Sequence, residues 1–164
     1  MNPLERLFEA QLSNIYYAEK QIMKILPRLA RTAESRELKE AFMIHAEQTS
    51  SQIKKLETAF HSINREAKAT KCGAIVGILN EAKAIINVFG STAGIDAALI
   101  CLCQKIEHYE IATYGCLITW AKSLGHLKAA RLLGQILDQE EITDRELTAI
   151  AEYVCNGAAE NEAA

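Results

Sequence analysis

The sequence predicts an all-α chain folded as a four-helix bundle. Apolar residues recur every three and four positions over long stretches, the period of an amphipathic helix. Only two prolines and eight glycines interrupt the 164 residues, and most of them mark joints. One long connection divides the periodic segments into two pairs.

The first helix carries Leu4, Phe8, Leu12, Ile15, Ile22, Leu26 and Leu29, with one gap between Ile15 and Ile22. Pro27 falls inside it and is expected to kink it or remove one backbone hydrogen bond near its end. Ser35 suits the N-cap of a second helix whose stripe reads Leu38, Phe42, Leu56, Phe60 and Ile63. A crossover from Asn64 to Gly94 follows. It opens as a polar loop in which Lys68 to Lys71 reads as solvated, then carries a short extra helix with Ile75, Ile78, Leu79, Ala82, Ile85, Ile86 and Phe89. The third long helix starts near Ile95 and shows Leu99, Leu102, Ile106, Thr113, Leu117, Trp120 and Leu124, with Gly125 as its stop. A fourth starts near His126 and places Leu133, Leu137, Leu147, Ala151 and Val154 on one stripe.

Residues 1–156 form one expected domain, and the Ala/Glu-rich tail, 157–164, is expected to fray. Short turns make two antiparallel hairpins joined by one long crossover, which is the ferritin-like connectivity. A shift of about ninety positions lays Glu19 near Glu110 and Leu38-Lys39 near Leu127-Lys128, a weak internal symmetry that agrees with two related hairpins.

Composition narrows the function. The formal net charge of -3 supplies no basic stripe for nucleic acid. No apolar run reaches the ~20 residues of a membrane span, and the N-terminus lacks a basic-then-apolar leader, so a cytoplasmic location is expected. The five cysteines are odd in number and contain no Cys-x-x-Cys pair. They are expected to be free thiols, with Cys103 and Cys116 acting as small buried apolar residues rather than metal ligands.

The informative feature is a polar gap near the middle of every stripe. In the first helix Glu19 stands where an apolar residue is due. In the second, the step from Phe42 to Leu56 passes His45, Gln48 or Thr49, and Gln52. The third passes Glu107 and Glu110, the fourth Glu140 or Glu141 and then Asp144. One Glu on such a stripe is ordinarily a solvated flank residue, and one His a hydrogen-bonded core residue. Four gaps at one level of an antiparallel bundle point instead to a shared polar core. Ionised carboxylates buried there cost several kcal/mol each unless partnered, and two iron or manganese ions would offset them. The pattern Glu-x-x-His, standard in such centres, occurs nowhere in the chain. Glu141 with Asp144, or Glu140 with Asp144, is the nearest analogue on the fourth helix, and the second helix offers only His45 beside neutral amides. Tyr16, Tyr17, Tyr109 and Tyr114 are expected to pack at the rim or to donate hydrogen bonds, and His108 to bond locally. No phosphate loop and no His-Glu-x-x-His helix is present.

Several strings in order along nearly the whole chain resemble the YciE/YciF-like family of bacterial ferritin-like stress proteins. They are Ala18-Glu19-Lys20-Gln21, His45-Ala46-Glu47-Gln48-Thr49 through Gln52, Lys71-Cys72, Gln104 to Ala112 with Tyr114-Gly115, and Glu140-Glu141-Ile142-Thr143-Asp144. The resemblance implies a ferritin-like homodimer with a dinuclear metal site and a link to stress. Relatives commonly read His-Leu-Glu-Glu-Thr where this chain has His45 to Thr49, so Gln48 would replace an inward carboxylate.

Two functions follow. One is a metalloprotein that binds two Fe or Mn ions through Glu19, His45, Gln48, Gln52, Glu107, Glu110, Glu140, Glu141 and Asp144, and acts on dioxygen or peroxide or stores metal. The other is a metal-free structural or partner-binding bundle. No small-molecule substrate is legible.

Overall fold

Residues 2–161 are described by the structure, a computed structural model, and every regular element among them is helical. Helix α1 (Pro3–Thr32) begins under an Asn2 side chain that accepts from the Glu5 N–H at 2.9 Å. Pro3 sits at the first turn, where a missing N–H removes no helical bond. The helix runs on through Pro27 to Thr32 rather than ending there. Helix α2 (Arg36–Ser62) is capped by Ser35, whose Oγ accepts from the Leu38 N–H at 3.2 Å, as the sequence predicts.

Asn64 (φ 58°) closes α2. The Asn64 N–H bonds the His61 carbonyl, and the Arg65 N–H reaches the Phe60 carbonyl. Gly125 (φ 78°) closes α4 (Ile95–Ser123) in the same way, with bonds from Gly125 to Lys122 and from His126 to Ala121. Both follow the paired 6→1 and 5→2 pattern that satisfies the last free carbonyls of a helix.

The crossover helix α3 (Gly73–Phe89) spans the expected apolar segment from Ile75 to Phe89. Only Ile75 and Ala82 of it are buried, while Val88 and Phe89 stay exposed. Thr70 N–H to the Ser13 carbonyl, at 3.0 Å, ties the preceding loop to α1, and Lys68 and Lys71 are exposed as expected. Helix α5 (Leu127–Ile150) leads into a π-helical turn (Ala151–Cys155) and then α6 (Asn156–Asn161). The chain is helical to Asn161, and of the expected tail, residues 162–164 lie outside the described residues. The wide π turn buries Cys155 and, against expectation, leaves Val154 exposed. Cys103 is buried as expected, but Cys116 is exposed.

Helix α1 packs on α2 and α4, α5 packs on α4 and α2, and α3 lies against α4. The three-residue turns at 33–35 and 124–126 reverse the chain, so α1/α2 and α4/α5 are antiparallel hairpins. Phe8, Leu12, Leu56 and Phe60 are among the apolar core residues toward one end of α1 and α2, with Leu26, Leu29 and Leu38 toward the other. Residues of all four long helices are buried between these layers. Among the described residues no helix is long and apolar enough to cross a membrane.

The hairpins are also joined at one end. Asp96, 6 % exposed in the first turn of α4, accepts from the Glu34 and Ser35 N–H groups, each at 2.7 Å, and its Oδ2 lies 3.9 Å from Cys155 Sγ. Replacing Asp96 by alanine leaves two N–H groups without their acceptor. Chemical unfolding of Asp96→Ala is expected to show a loss of about 2–4 kcal/mol, and a loss below about 0.5 kcal/mol would count against this tie.

Candidate metal centre

Each long helix delivers its polar side chains near its own midpoint, and antiparallel packing brings the midpoints to one level. On α1 the inward series Phe8, Leu12, Ile15, Glu19, Ile22, Leu26 keeps helical spacing, and Glu19 is fully buried. On α2 the buried residues at this level are His45, Thr49 and Gln52. Helix α4 brings Glu107 and Glu110, with Tyr114 one turn further on. Helix α5 buries Leu133, Ile136, Glu140, Thr143 and Leu147.

His45, Glu107, Glu110 and Glu140 each offer a ligand atom, and these atoms all lie within 4.8 Å of one another. His45 Nδ1 is 3.2 Å from Glu107 Oε1, and its Nε2 is 3.6 Å from Glu140 Oε2. Tyr114 donates a hydrogen bond to Glu19 Oε1. Gln52 Nε2 donates to Glu140 Oε1 and also reaches Gln139 Oε1 at 3.3 Å. The cluster is still short of donors. Both oxygens of Glu107 and of Glu110, one oxygen each of Glu19 and Glu140, and His45 Nε2 are buried without a hydrogen-bond partner.

Electrostatics follow from this crowding. Burial, and then the charge of Glu140, pushes the Glu19 carboxyl up to about 8, against smaller lowering from the Tyr114 hydrogen bond and the adjacent Glu110 carboxyl. Burial and neighbouring carboxylates hold Glu107 and Glu110 well above the usual range. Glu140 is raised by burial and partly relieved by Glu107, Gln52 and Lys55. Burial lowers His45 to about 4, so its imidazole is neutral near pH 7. Cys103, one turn before Glu107, is kept a thiol by burial and the Glu107 charge.

Three of the expected residues fall elsewhere or on the edge, and a fourth is inside in a different role. Glu141 is exposed, so Glu140 is the inward member of that pair: the buried line passes through Ile136, and Leu137 is only half-buried. Gln48 is half-buried, and Thr49 holds the inward position between His45 and Gln52. The substitution that the family strings suggested at Gln48 therefore lies on the flank of α2. Asp144 is half-buried, 3.4 Å from His108 Nε2 and from Gln104 Nε2. Gln52 is inside, but as a donor to Glu140. Thr143 is the buried residue that motif reasoning did not single out; its i+3 spacing from Glu140 is the available signal. Of the tyrosines, Tyr114 reaches the cluster, Tyr16 donates to Glu57, and Tyr109 lies 3.3 Å from Cys72 Sγ.

Residues 3–160 match the family described as Domain of unknown function (DUF892). The chain belongs to this family. The YciF-like resemblance read from the motifs thus extends over the whole DUF892 region. Protein YciF of Escherichia coli K12 is 42% identical over 164 residues, 99% of each chain. The crystal structure of the E. coli stress protein YciF matches with a TM-score of 0.88 at 42% identity, over 93% of this chain and 96% of that one. YcfI from Rhodopseudomonas palustris matches with a TM-score of 0.89 at 36% identity, over 92% and 96%.

The raised carboxyl groups give this DUF892 chain a pH signature. A group whose folded pKa lies above its unfolded value adds stability below the unfolded value and loses it as pH rises through the folded one. For Glu19 that window runs from the ordinary carboxylate range to about 8. His45 acts oppositely, but only between about 4 and its ordinary value near 6.5. Metal-stripped protein is therefore expected to lose melting temperature steadily from pH 6.5 to 8.5, and Glu19→Gln to flatten part of that slope. A melting temperature that holds or climbs over this range would contradict the assignment.

Proposed function

We propose that the chain is a ferritin-like four-helix bundle whose buried cluster binds two divalent metal ions, iron or manganese. The observation that carries this is the set of buried oxygens without partners, facing one another and one neutral imidazole. Once ionised around metal, the four carboxyl groups (Glu19, Glu107, Glu110 and Glu140) would carry four negative charges, which two divalent ions would balance. No Lys or Arg pairs with any of them among the described residues. The donor set is oxygen-rich with one nitrogen and no thiolate, a set that suits manganese and iron(II) better than soft-ligand metals.

In this reading Glu110, Glu140, Glu107 and His45 hold one ion, and Glu19 with the remaining carboxylate oxygens holds the second. Tyr114 and Gln52 keep Glu19 and Glu140 oriented. Bound ions of this kind would supply redox chemistry toward dioxygen or peroxide, and the likeness to a stress protein supports a role under stress. The chain's own contribution is a buried, preorganised ligand set on four packed helices.

A second reading has its own support. The inward i,i+3 pairs are Thr49/Gln52 on α2, Glu107/Glu110 on α4 and Glu140/Thr143 on α5, so none matches Glu-x-x-His. In a metal-free bundle the carboxyl groups would stay protonated and share hydrogen bonds. Anaerobic loading with Fe(II) or Mn(II) followed by elemental analysis separates the two. About two ions per chain are expected for the native protein, falling below about one for Glu110→Gln. Less than about a tenth of an ion per chain after loading would leave the metal-free bundle as the function.

A further inference from the structure

The buried cluster has two polar edges, and they differ in charge. Toward α2 and α5, Gln52 leads to Gln139 Oε1, and that oxygen is 3.4 Å from the Lys55 ammonium. A cation at this edge meets amide donors and a positive charge. Toward α4 and α5 the order is reversed. His108 is 70% exposed, its Nε2 lies 3.4 Å from Asp144 Oδ1, and the Asp144 side chain is 20% exposed. Glu107, fully buried and with both oxygens unpartnered, lies within electrostatic reach of Asp144 and 3.2 Å from His45. Gln104 and His108, which flank Asp144, also line an open surface groove of about 460 Å³, whose lysine, Lys105, is paired with Glu81 at 2.5 Å.

We infer that Asp144 and His108 form the entry point through which a divalent cation passes between α4 and α5 to Glu107 and the buried centre. The inference rests on the metal-centre reading. The physical argument is the gradient. A hydrated cation entering a low-dielectric interior loses solvation, and the cost is lowered if it exchanges water for oxygen and imidazole ligands in steps. Here the steps run from an exposed imidazole, through a half-buried carboxylate, to a fully buried carboxylate with free lone pairs. Asp144 accepts only weakly from neighbours, with His108 and Gln104 both at 3.4 Å, so little holds it from a passing ion. Lys55 makes the opposite edge unfavourable for the same cargo. The role moves Asp144 from ligand to guide, one helical turn outside Glu140.

Stopped-flow absorbance with Co(II) added to metal-stripped protein reads both rate and final occupancy. Asp144→Asn is expected to slow loading about tenfold at low ionic strength, within the range that electrostatic guiding gives, and to leave final occupancy unchanged. His108→Ala should slow it less, and added salt should narrow the gap between Asp144→Asn and the native protein. Lys55→Gln, at the other edge, should not slow loading. An unchanged rate in Asp144→Asn, with the native protein loading normally, would overturn the entry role and leave the metal centre standing. A lower final occupancy at saturating Co(II) would make Asp144 a ligand instead. Absence of Co(II) uptake by the native protein would overturn the metal-centre reading and the entry role together.

Discussion

Four carboxyl groups and one neutral imidazole share a single buried level, and the rest of the structure has to accommodate that. Ionised, each carboxylate would cost several kcal/mol to desolvate and would repel the others across a few ångströms of low-dielectric interior. The helices can close only if protons, donors or cations stand between these groups. Tyr114 and Gln52 supply two donors, one to Glu19 and one to Glu140. Those donors leave six of the eight carboxylate oxygens without a hydrogen-bond partner. The imbalance connects the fold to the proposed metal centre, where bound cations would balance the free buried oxygens.

The surrounding architecture keeps that level in place. Apolar layers lie on either side of it, so the polar groups cannot reach water by sliding along the helix axes. Asp96 ties the α1–α2 turn to the start of α4, and the buried Cys155 of the π turn packs against it. Arg65 to Glu9 and Thr70 to Ser13 strap the crossover back to α1. The level therefore sits on four helices whose register is fixed at both ends, as a ligand set within a few ångströms requires. The edges of the level differ as well, with Lys55 on one side and the Asp144–His108 pair on the other.

Much of this is legible in the sequence. The period-of-3.6 stripes locate the four long helices, Ser35 and Gly125 mark their joints, and the gaps at Glu19, His45, Glu110 and the Glu140 region identify the site. These are local properties, because spacing along one helix and the conformational preference of a cap or a glycine need no neighbour. Within a helix, however, an apolar face is about 100° wide, and residues at i and i+1 both fall near it. Spacing could not choose Glu140 over Glu141 or Thr49 over Gln48, nor see that Ile136 rather than Leu137 lines the centre. Those choices depend on how each helix is rotated about its own axis, which only the packing of α2 on α5 and α4 on α5 decides. Tertiary structure also decided that Glu107 is fully buried, that Tyr114 reaches Glu19, and that Asp144 stands outside the cluster beside His108. What the sequence determined was the presence of carboxylates and a histidine at one level; which of their atoms meet was decided by contacts between helices far apart in the chain.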